Sequence, residues 1–386
     1  MKKNLILFLL ALSFFFNSCS PNKKVLKIGI NTELTGEVPA VGASCLNAAK
    51  LFVEHLNKQG GLDVSGVKIP ISLIVGDNGA KPDQAAAVAQ RLISQENILA
   101  MVGPNISSCA IPAAEIAESL HCLMFSPWST NPLTTLDRKA KTPKKYVYRG
   151  CFTDAVEIPA LAQFARNNLH LKRAAILYDI SSEYPTTATP LFTKSFTEKG
   201  GSIVATETYT TGDRDFSAQL TKIKQAKPDV LFLPAYYNDA PLIAQQARRL
   251  GITAVFLGGN SWSTPEMLKL DSGHHLNGAF LSNHFSTQSD ALQIRSFIAD
   301  YQSKFGQLPD DIAALTYDSM GILSEAIVKA GKANRTAILD AMGTINHFSG
   351  ITGNFIYEPG NHSPKKSMVI LTVKDGAFGY VTTVEL

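Results

Sequence analysis

Residues 217–252 read SAQLTKIKQAKPDVLFLPAYYNDAPLIAQQARRLGI. The stretch predicts a helix over 216–226, a strand over 230–233 and a second helix over 241–250. The strand Val230, Leu231, Phe232, Leu233 is apolar throughout, as a strand covered on both faces must be, and Pro234 closes it. Helix, strand and helix in succession are the repeating unit of a parallel sheet sandwiched between helices.

Working outward, the same alternation continues. Downstream, 255–257 reads as a strand; upstream, 174–178 and 202–209 read as strands and 190–199 as a helix. A separate series runs earlier in the chain. Strands are predicted at 25–30, 69–75, 98–102 and 122–125, with helices at 45–57, 81–95 and 111–120. The first of these helices carries Leu46, Ala49, Leu51, Phe52, Val53 and Leu56 and stops at Gly60-Gly61. Two such series imply two α/β lobes, in keeping with a length of 386 residues. Helices at 291–305 and 312–330 and strands at 368–373 and 380–384 follow. They must return to cover the earlier sheets, which predicts several chain crossings and a hinge. There is no short-period repeat, so a solenoid is excluded.

The amino terminus reads MKKNLILFLLALSFFFNSCS. Lys2 and Lys3 precede an apolar run over residues 5–16, then small residues and Cys19, the layout of an export signal. The run is shorter than the roughly 20 residues of a membrane-spanning helix. Residues 16–19, Phe-Asn-Ser-Cys, resemble a lipoprotein processing site, which makes 1–18 the signal, Cys19 the lipidated residue and 19–24 the tether. The alternative is an ordinary cut near Ser18. Cys45, Cys109, Cys122 and Cys151 show no CxxC spacing and no nearby histidine pair, which argues against a zinc site. Their apolar surroundings predict free, buried thiols.

The net charge of +4 includes the two signal lysines, and no basic tract is interleaved with aromatics, so nucleic acid is not an expected partner. No phosphate-binding G-x-x-x-x-G-K-[ST], nucleophile elbow G-x-S-x-G or H-E-x-x-H occurs, and the adjacent pair His274-His275 reads as a solvated turn. The chain is therefore expected not to be an enzyme and to need no cofactor.

Ligands of open α/β sheets bind at the carboxyl ends of strands, so the loops there are the candidates. After Val102 come Ser107 and Ser108, whose hydroxyls and backbone N–H groups at a helix start suit a carboxylate, or simply cap the helix. After Phe125 the chain reads SPWSTNP, which brings Trp128 and Thr130. After Leu233 comes Tyr236, and after Leu257 the run GGNSW with Asn260 and Trp262. Either aromatic, taken alone, also reads as surface packing.

Residues 217–252, together with AILYDISSEY, SPWSTNP, FLSNHFS and ALTYDSM in that order, resemble the Leu/Ile/Val-binding proteins of ABC importers, from residue 27 to about residue 378. The resemblance implies a type I periplasmic binding fold: two doubly wound parallel-sheet lobes joined by several hinge crossings. Lobe 1 would hold 25–148 with 283–347, and lobe 2 would hold 149–282 with 348–386. It implies capture of one amino acid, branched-chain or related, between the lobes and its delivery to ABC permease subunits. The protein would be exported to the periplasm or cell surface and held at the membrane by the lipid on Cys19. Ligand sensors share the fold. By the same resemblance, Ser107 and Ser108 take the ligand carboxylate and Trp128 presents a backbone carbonyl to the ammonium. Thr130 touches both ligand ends, Tyr184 and Tyr236 close from the second lobe, and Asp154 is a polar position at the lobe crossing.

Two departures stand out. Asn260 occupies a position where the family usually carries an acid that pairs with the ammonium. Asparagine offers hydrogen bonds but no charge. Either Asp154, Glu157 or Glu183 compensates, or the ligand has no free α-ammonium. Val41 stands where an aromatic often lines the pocket, and bulky Trp128 where a small residue is usual, so the pocket shape differs from that of a standard aliphatic amino-acid binder.

Overall fold

A computed structural model describes residues 24–386. The export-signal and Cys19 readings fall at residues 1–23, outside the described ones. The first series forms β1 (Leu26–Thr32), the hairpin β2 (Leu62–Val64) and β3 (Val67–Ile69), then β4 (Ile71–Asp77), β5 (Ala100–Val102), β6 (Leu123–Ser126) and β7 (Val147–Arg149). The second forms β8 (Arg173–Asp179), β9 (Ser202–Tyr209), β10 (Val230–Phe232), β11 (Val255–Gly258) and β12 (Phe280–Asn283). A hairpin of β13 (His347–Gly350) and β14 (Gly353–Ile356) precedes β15 (Met368–Lys374) and β16 (Ala377–Val384). The helices are α1 (Pro39–Lys58), α2 (Pro82–Ser94), α3 (Ser107–Ser119), α4 (Asp154–Asn167), α5 (Glu183–Glu198) and α6 (Ser217–Ala226). They continue as α7 (Ala240–Arg249), α8 (Pro265–Leu270), α9 (Leu292–Phe305), α10 (Asp311–Ala330) and α11 (Arg335–Met342).

The first sheet is five-stranded, in the order β4-β1-β5-β6-β7, and parallel throughout. The second repeats that order as β9-β8-β10-β11-β12, also parallel, and adds antiparallel β15 and β16 at one edge. In each, the chain reverses its winding after the second strand. A crevice therefore opens at the carboxyl ends between β1 and β5 in one sheet and between β8 and β10 in the other. The central strands β5, β6 and β10 are buried along their whole length, because helices cover both faces.

The chain leaves the first sheet after β7, leaves the second after β12, and returns to it through β13 and β14. The first and last of these connections are tied together: the Arg149 N–H donates to the His362 carbonyl (3.1 Å) and the Tyr357 hydroxyl to the Arg149 carbonyl (2.7 Å). Helices α9 and α10 pack on α1, with Phe297, Tyr301, Ala313 and Ala314 against Ala48 and Leu51. One apolar cluster runs through both lobes and includes Trp128, Tyr148, Leu177 and Leu233. Asn131 Nδ2 donates to Thr187 Oγ1 (2.9 Å), the Ala40 N–H to the Tyr237 hydroxyl (3.2 Å), and Ser263 Oγ to Asp311. These bonds hold the lobes against each other. Cys45, Cys109, Cys122 and Cys151 are buried and form no disulfide among the described residues.

Three helices begin four or more residues earlier than the sequence predicts. Helix α1, expected from 45, begins at Pro39. The predicted start at 111 lies inside α3, which begins at Ser107, and the predicted start at 190 lies inside α5, which begins at Glu183. Pro112 and Pro190 sit within the helices, where each removes one hydrogen bond to the carbonyl four residues back without ending the helix. The shift matters for function, because it puts Ser107 and Tyr184 in the first turns of helices that point at the crevice. Helix α1 itself packs tightly on the end of β1: a Cβ on Gly42 would lie 2.1 Å from the Glu33 carbonyl oxygen.

Candidate functional site

The carboxyl ends of the two sheets face each other across a small cavity. Asn105, Ser107, Trp128 and Thr130 line it from the first lobe, and Tyr184, Tyr236, Asn260 and Ser261 from the second. Each follows a strand: β5 and β6 on one side, and β8, β10 and β11 on the other. Free space inside is about 10 Å³, close to the least that a single water needs. Aromatic rings fill the rest. The Trp128 and Tyr236 centroids are 6.4 Å apart, and those of Tyr184 and Tyr236 are 5.8 Å apart. A ligand larger than water enters only if the lobes part or these rings turn.

The first-lobe wall is a hydroxyl network. Ser129 Oγ donates to Ser107 Oγ (3.0 Å) and lies 2.6 Å from Thr134 Oγ1. Behind it, the buried Arg149 guanidinium donates to the carbonyls of Ser129 (2.6 Å) and Asn131 (2.7 Å), which fixes the loop that carries Thr130. Glu33, fully buried after β1, accepts from the Asn105 N–H (3.0 Å), Asn105 Nδ2 (2.8 Å) and the Ile106 N–H (3.3 Å), and so sets the turn into α3. Burial pushes the Glu33 carboxyl above its ordinary pKa, against the lowering by these Asn105 bonds. Trp128 is held from α10 by Asp311, whose pKa burial pushes up to about 8, with Asp310 adding to the rise.

The second-lobe wall is aromatic outside and acidic behind. Ser261 Oγ donates to the Ala235 carbonyl (2.7 Å) and lies 3.4 Å from the Tyr184 hydroxyl. Burial drives the hydroxyl pKa of both Tyr184 and Tyr236 far up, so both stay neutral. Asp154 and Glu157, at the start of α4, are completely buried. Burial raises Asp154 to about 7, against the lowering by Thr130 and Arg149. Glu157 rises to about 8, through burial first and then the neighbouring Asp154.

Against known proteins, residues 25–377 match the family model described as periplasmic binding protein. The chain belongs to that family. Its curated relatives include the Leu/Ile/Val-binding protein BraC3 of Rhizobium johnstonii, 29% identical over 310 residues that cover 80% of each chain. Another is the leucine-, isoleucine-, valine-, threonine- and alanine-binding protein of Pseudomonas aeruginosa, 26% identical over 89% of this chain and 88% of that one. Among solved structures, the branched-chain amino acid transporter substrate binding protein LivJ of Streptococcus pneumoniae, in complex with isoleucine, superposes with a TM-score of 0.86 at 29% identity. That match covers 94% of this chain and all (100%) of that one. The leucine binding protein LivK of Thermotoga maritima gives 0.84 at 29% identity, over 93% and 99% of the two chains. The two similarly ordered parallel sheets are thus those of a type I periplasmic binding protein.

Within this periplasmic binding protein, six of the eight ligand-site residues expected from sequence meet at one cavity: Ser107, Trp128, Thr130, Tyr184, Tyr236 and Asn260. Ser108 and Asp154 are not among its lining residues. Ser108 is one residue further along α3, where the helical turn carries its side chain away from that of Ser107, towards Cys109. Asp154 is behind the wall; its backbone N–H donates to the Thr130 carbonyl (2.9 Å). Trp262 is core, fully buried and packed over Gly258, where a Cβ would lie 2.3 Å from the indole. Val41 is buried in α1 and does not line the cavity. Asn105, Ser261 and Glu33 were missed by sequence reasoning. The strand-end rule reaches Asn105 and Ser261, which sit in the same loops as the chosen residues. No local signal marks Glu33, whose role depends on a loop 72 residues away.

A second, wider cleft between the lobes is lined by Pro39 and Glu37 on one side and by Arg214, Tyr237 and Glu266 on the other. Among the described residues, no helix is long and apolar enough to cross a membrane.

Proposed function

We propose that this chain is the extracytoplasmic solute-binding component of an ABC importer, which captures a small amino acid, branched-chain or related, between its lobes. The observation that carries this reading is the shared cavity: hydroxyls of Ser107 and Thr130 face the rings of Tyr184 and Tyr236 across the lobe boundary. Hydroxyls at the start of α3 suit a carboxylate, since the helix dipole and free N–H groups favour negative charge there. The rings suit an apolar side chain. The amino-acid specificities in the names of relatives that align over most of the chain support the same class.

In this mechanism the open protein takes the ligand on the first lobe, through Ser107 and Thr130. Contacts with Tyr184, Tyr236 and Asn260 exist only when the lobes close, so ligand shifts the population towards closure. A permease then distinguishes loaded from empty protein by shape. Export through residues 1–18, lipidation at Cys19, and the lobe division at 148/149, 282/283 and 347/348 belong to the same proposal.

A thermal-shift panel of the common amino acids, aromatic acids and short amides tests it, followed by calorimetry on the hits. Stabilisation by leucine, isoleucine, valine or a close relative is expected. A second reading, a carboxylic acid or amide without an α-ammonium, is favoured by the uncharged Asn260. It is the correct one if only amine-free compounds stabilise the protein.

A further inference from the structure

We propose that Glu157, backed by Asp154, supplies the negative charge for the ligand's ammonium, in place of an acid at position 260. The inference rests on the amino-acid reading above and names the residue that sets its charge selectivity.

The two carboxyls lie three residues apart in α4, on one face of the helix, and neither is exposed. Glu157 Oε1 accepts from the Asn260 backbone N–H (3.1 Å) and from Ser282 Oγ (2.5 Å). An atom built on Gly259 would meet the Tyr184 hydroxyl at 2.1 Å and Glu157 Oε1 at 3.3 Å. The acid therefore sits directly behind the Tyr184 and Asn260 wall of the cavity.

The group is also incomplete. Among the described residues, Asp154 Oδ1 and Oδ2 and Glu157 Oε2 have no hydrogen-bond partner, and neither has Nδ2 of Asn260, a cavity-lining residue that is 2% exposed. Buried carboxyls without partners are costly, and burial has raised both of these towards neutrality. The nearby Arg149 lowers Asp154 only in part and makes no hydrogen bond to either carboxyl. Arg149 spends its fork on the carbonyls of Ser129, Asn131 and Pro132 and on Thr135 Oγ1. Asp311 adds to the rise at Glu157, while Ser282 and the Asn260 N–H lower it. An ammonium brings a positive charge and three N–H donors to this place. Opposite charge within about 4–6 Å favours the ionised carboxylate.

The test compares the best amino acid from the panel with its 2-hydroxy analogue, which keeps the carboxylate and side chain but lacks the ammonium. Calorimetry is run on the intact protein and on Glu157→Gln, where glutamine keeps an acceptor for the Asn260 N–H. Glu157→Gln is expected to weaken the amino acid by about tenfold or more. The hydroxy acid should stay within about threefold. Adding Asn260→Asp to Glu157→Gln should restore amino-acid binding. Equal loss for both ligands, or no loss for either, overturns the proposal and leaves the amino-acid reading standing. An unmodified protein that binds no amino acid overturns that reading as well. Should Glu157→Gln not fold, the unmodified protein suffices: at pH 7, calorimetry in buffers of different ionisation enthalpy should show proton release with the amino acid and none with the hydroxy acid. Equal release for both ligands, or none for either, overturns the proposal.

Discussion

The Trp128 indole N–H donates to Asp311 Oδ2 at 3.1 Å, and the other oxygen of that carboxyl accepts from Ser263 of the facing lobe. One buried side chain thus holds a cavity wall and the lobe contact together. Ser263→Ala removes the lobe contact and leaves Asp311 Oδ1 unpaired. Ligand-free protein is expected to open, seen as a larger radius of gyration by solution scattering. Affinity should fall about fivefold, the worth of roughly 1 kcal/mol.

Ser107 and Ser108 separate cleanly. Only Ser107 lines the cavity. Ser107→Ala should weaken an amino acid by about tenfold or more, because it removes a hydrogen bond to a charged group. Ser108→Ala should bind as the unmodified protein does. Calorimetry on both variants checks the assignment, and the opposite ranking contradicts it.

Arg149 anchors the Thr130 loop through a planar fork that lysine lacks. Arg149→Lys keeps the charge but loses two or more of these bonds. It should cost about 2–4 kcal/mol in urea unfolding, and weaken binding because the position of Thr130 is no longer fixed.

The acid pair makes stability depend on pH. Asp154 and Glu157 have folded pKa values raised to about 7 and about 8. Between their unfolded values, near 4, and these folded values, the native state holds more protons than the unfolded one. Their contribution is therefore full at low pH and is lost as pH rises to about 8. Asp311, raised to about 8, adds in the same sense. Lys366, lowered to about 7 mainly by burial, acts oppositely above pH 7. His284, pulled down by burial and then by Lys366, opposes below pH 6.5. The clean comparison is with a variant that carries Asp154→Asn and Glu157→Gln. Its unfolding free energy relative to the unmodified, ligand-free protein should rise from pH 5 to pH 8. The steepest gain is about 1.4 kcal/mol per pH unit for each group.

The local sequence determined a good deal. Short apolar runs such as Val230–Phe232, closed soon after by Pro234, read as strands buried on both faces, and their alternation with amphipathic segments points to parallel sheets. The strand-end rule then put Ser107, Thr130, Tyr236 and Asn260 among the site candidates, and the family resemblance added Tyr184. Other features had no local signature. The helix starts at Ser107 and Glu183 were hidden by Pro112 and Pro190, because a proline reads the same whether it opens a helix or sits inside one. Only the tertiary structure decided that Ser107 lines the cavity while Ser108 turns away, that Glu33 pins the loop before α3, and that Glu157 meets the Asn260 N–H from 103 residues away. Strand and helix patterns follow from near neighbours in the chain. A buried charge takes its meaning from whichever distant groups the fold folds against it.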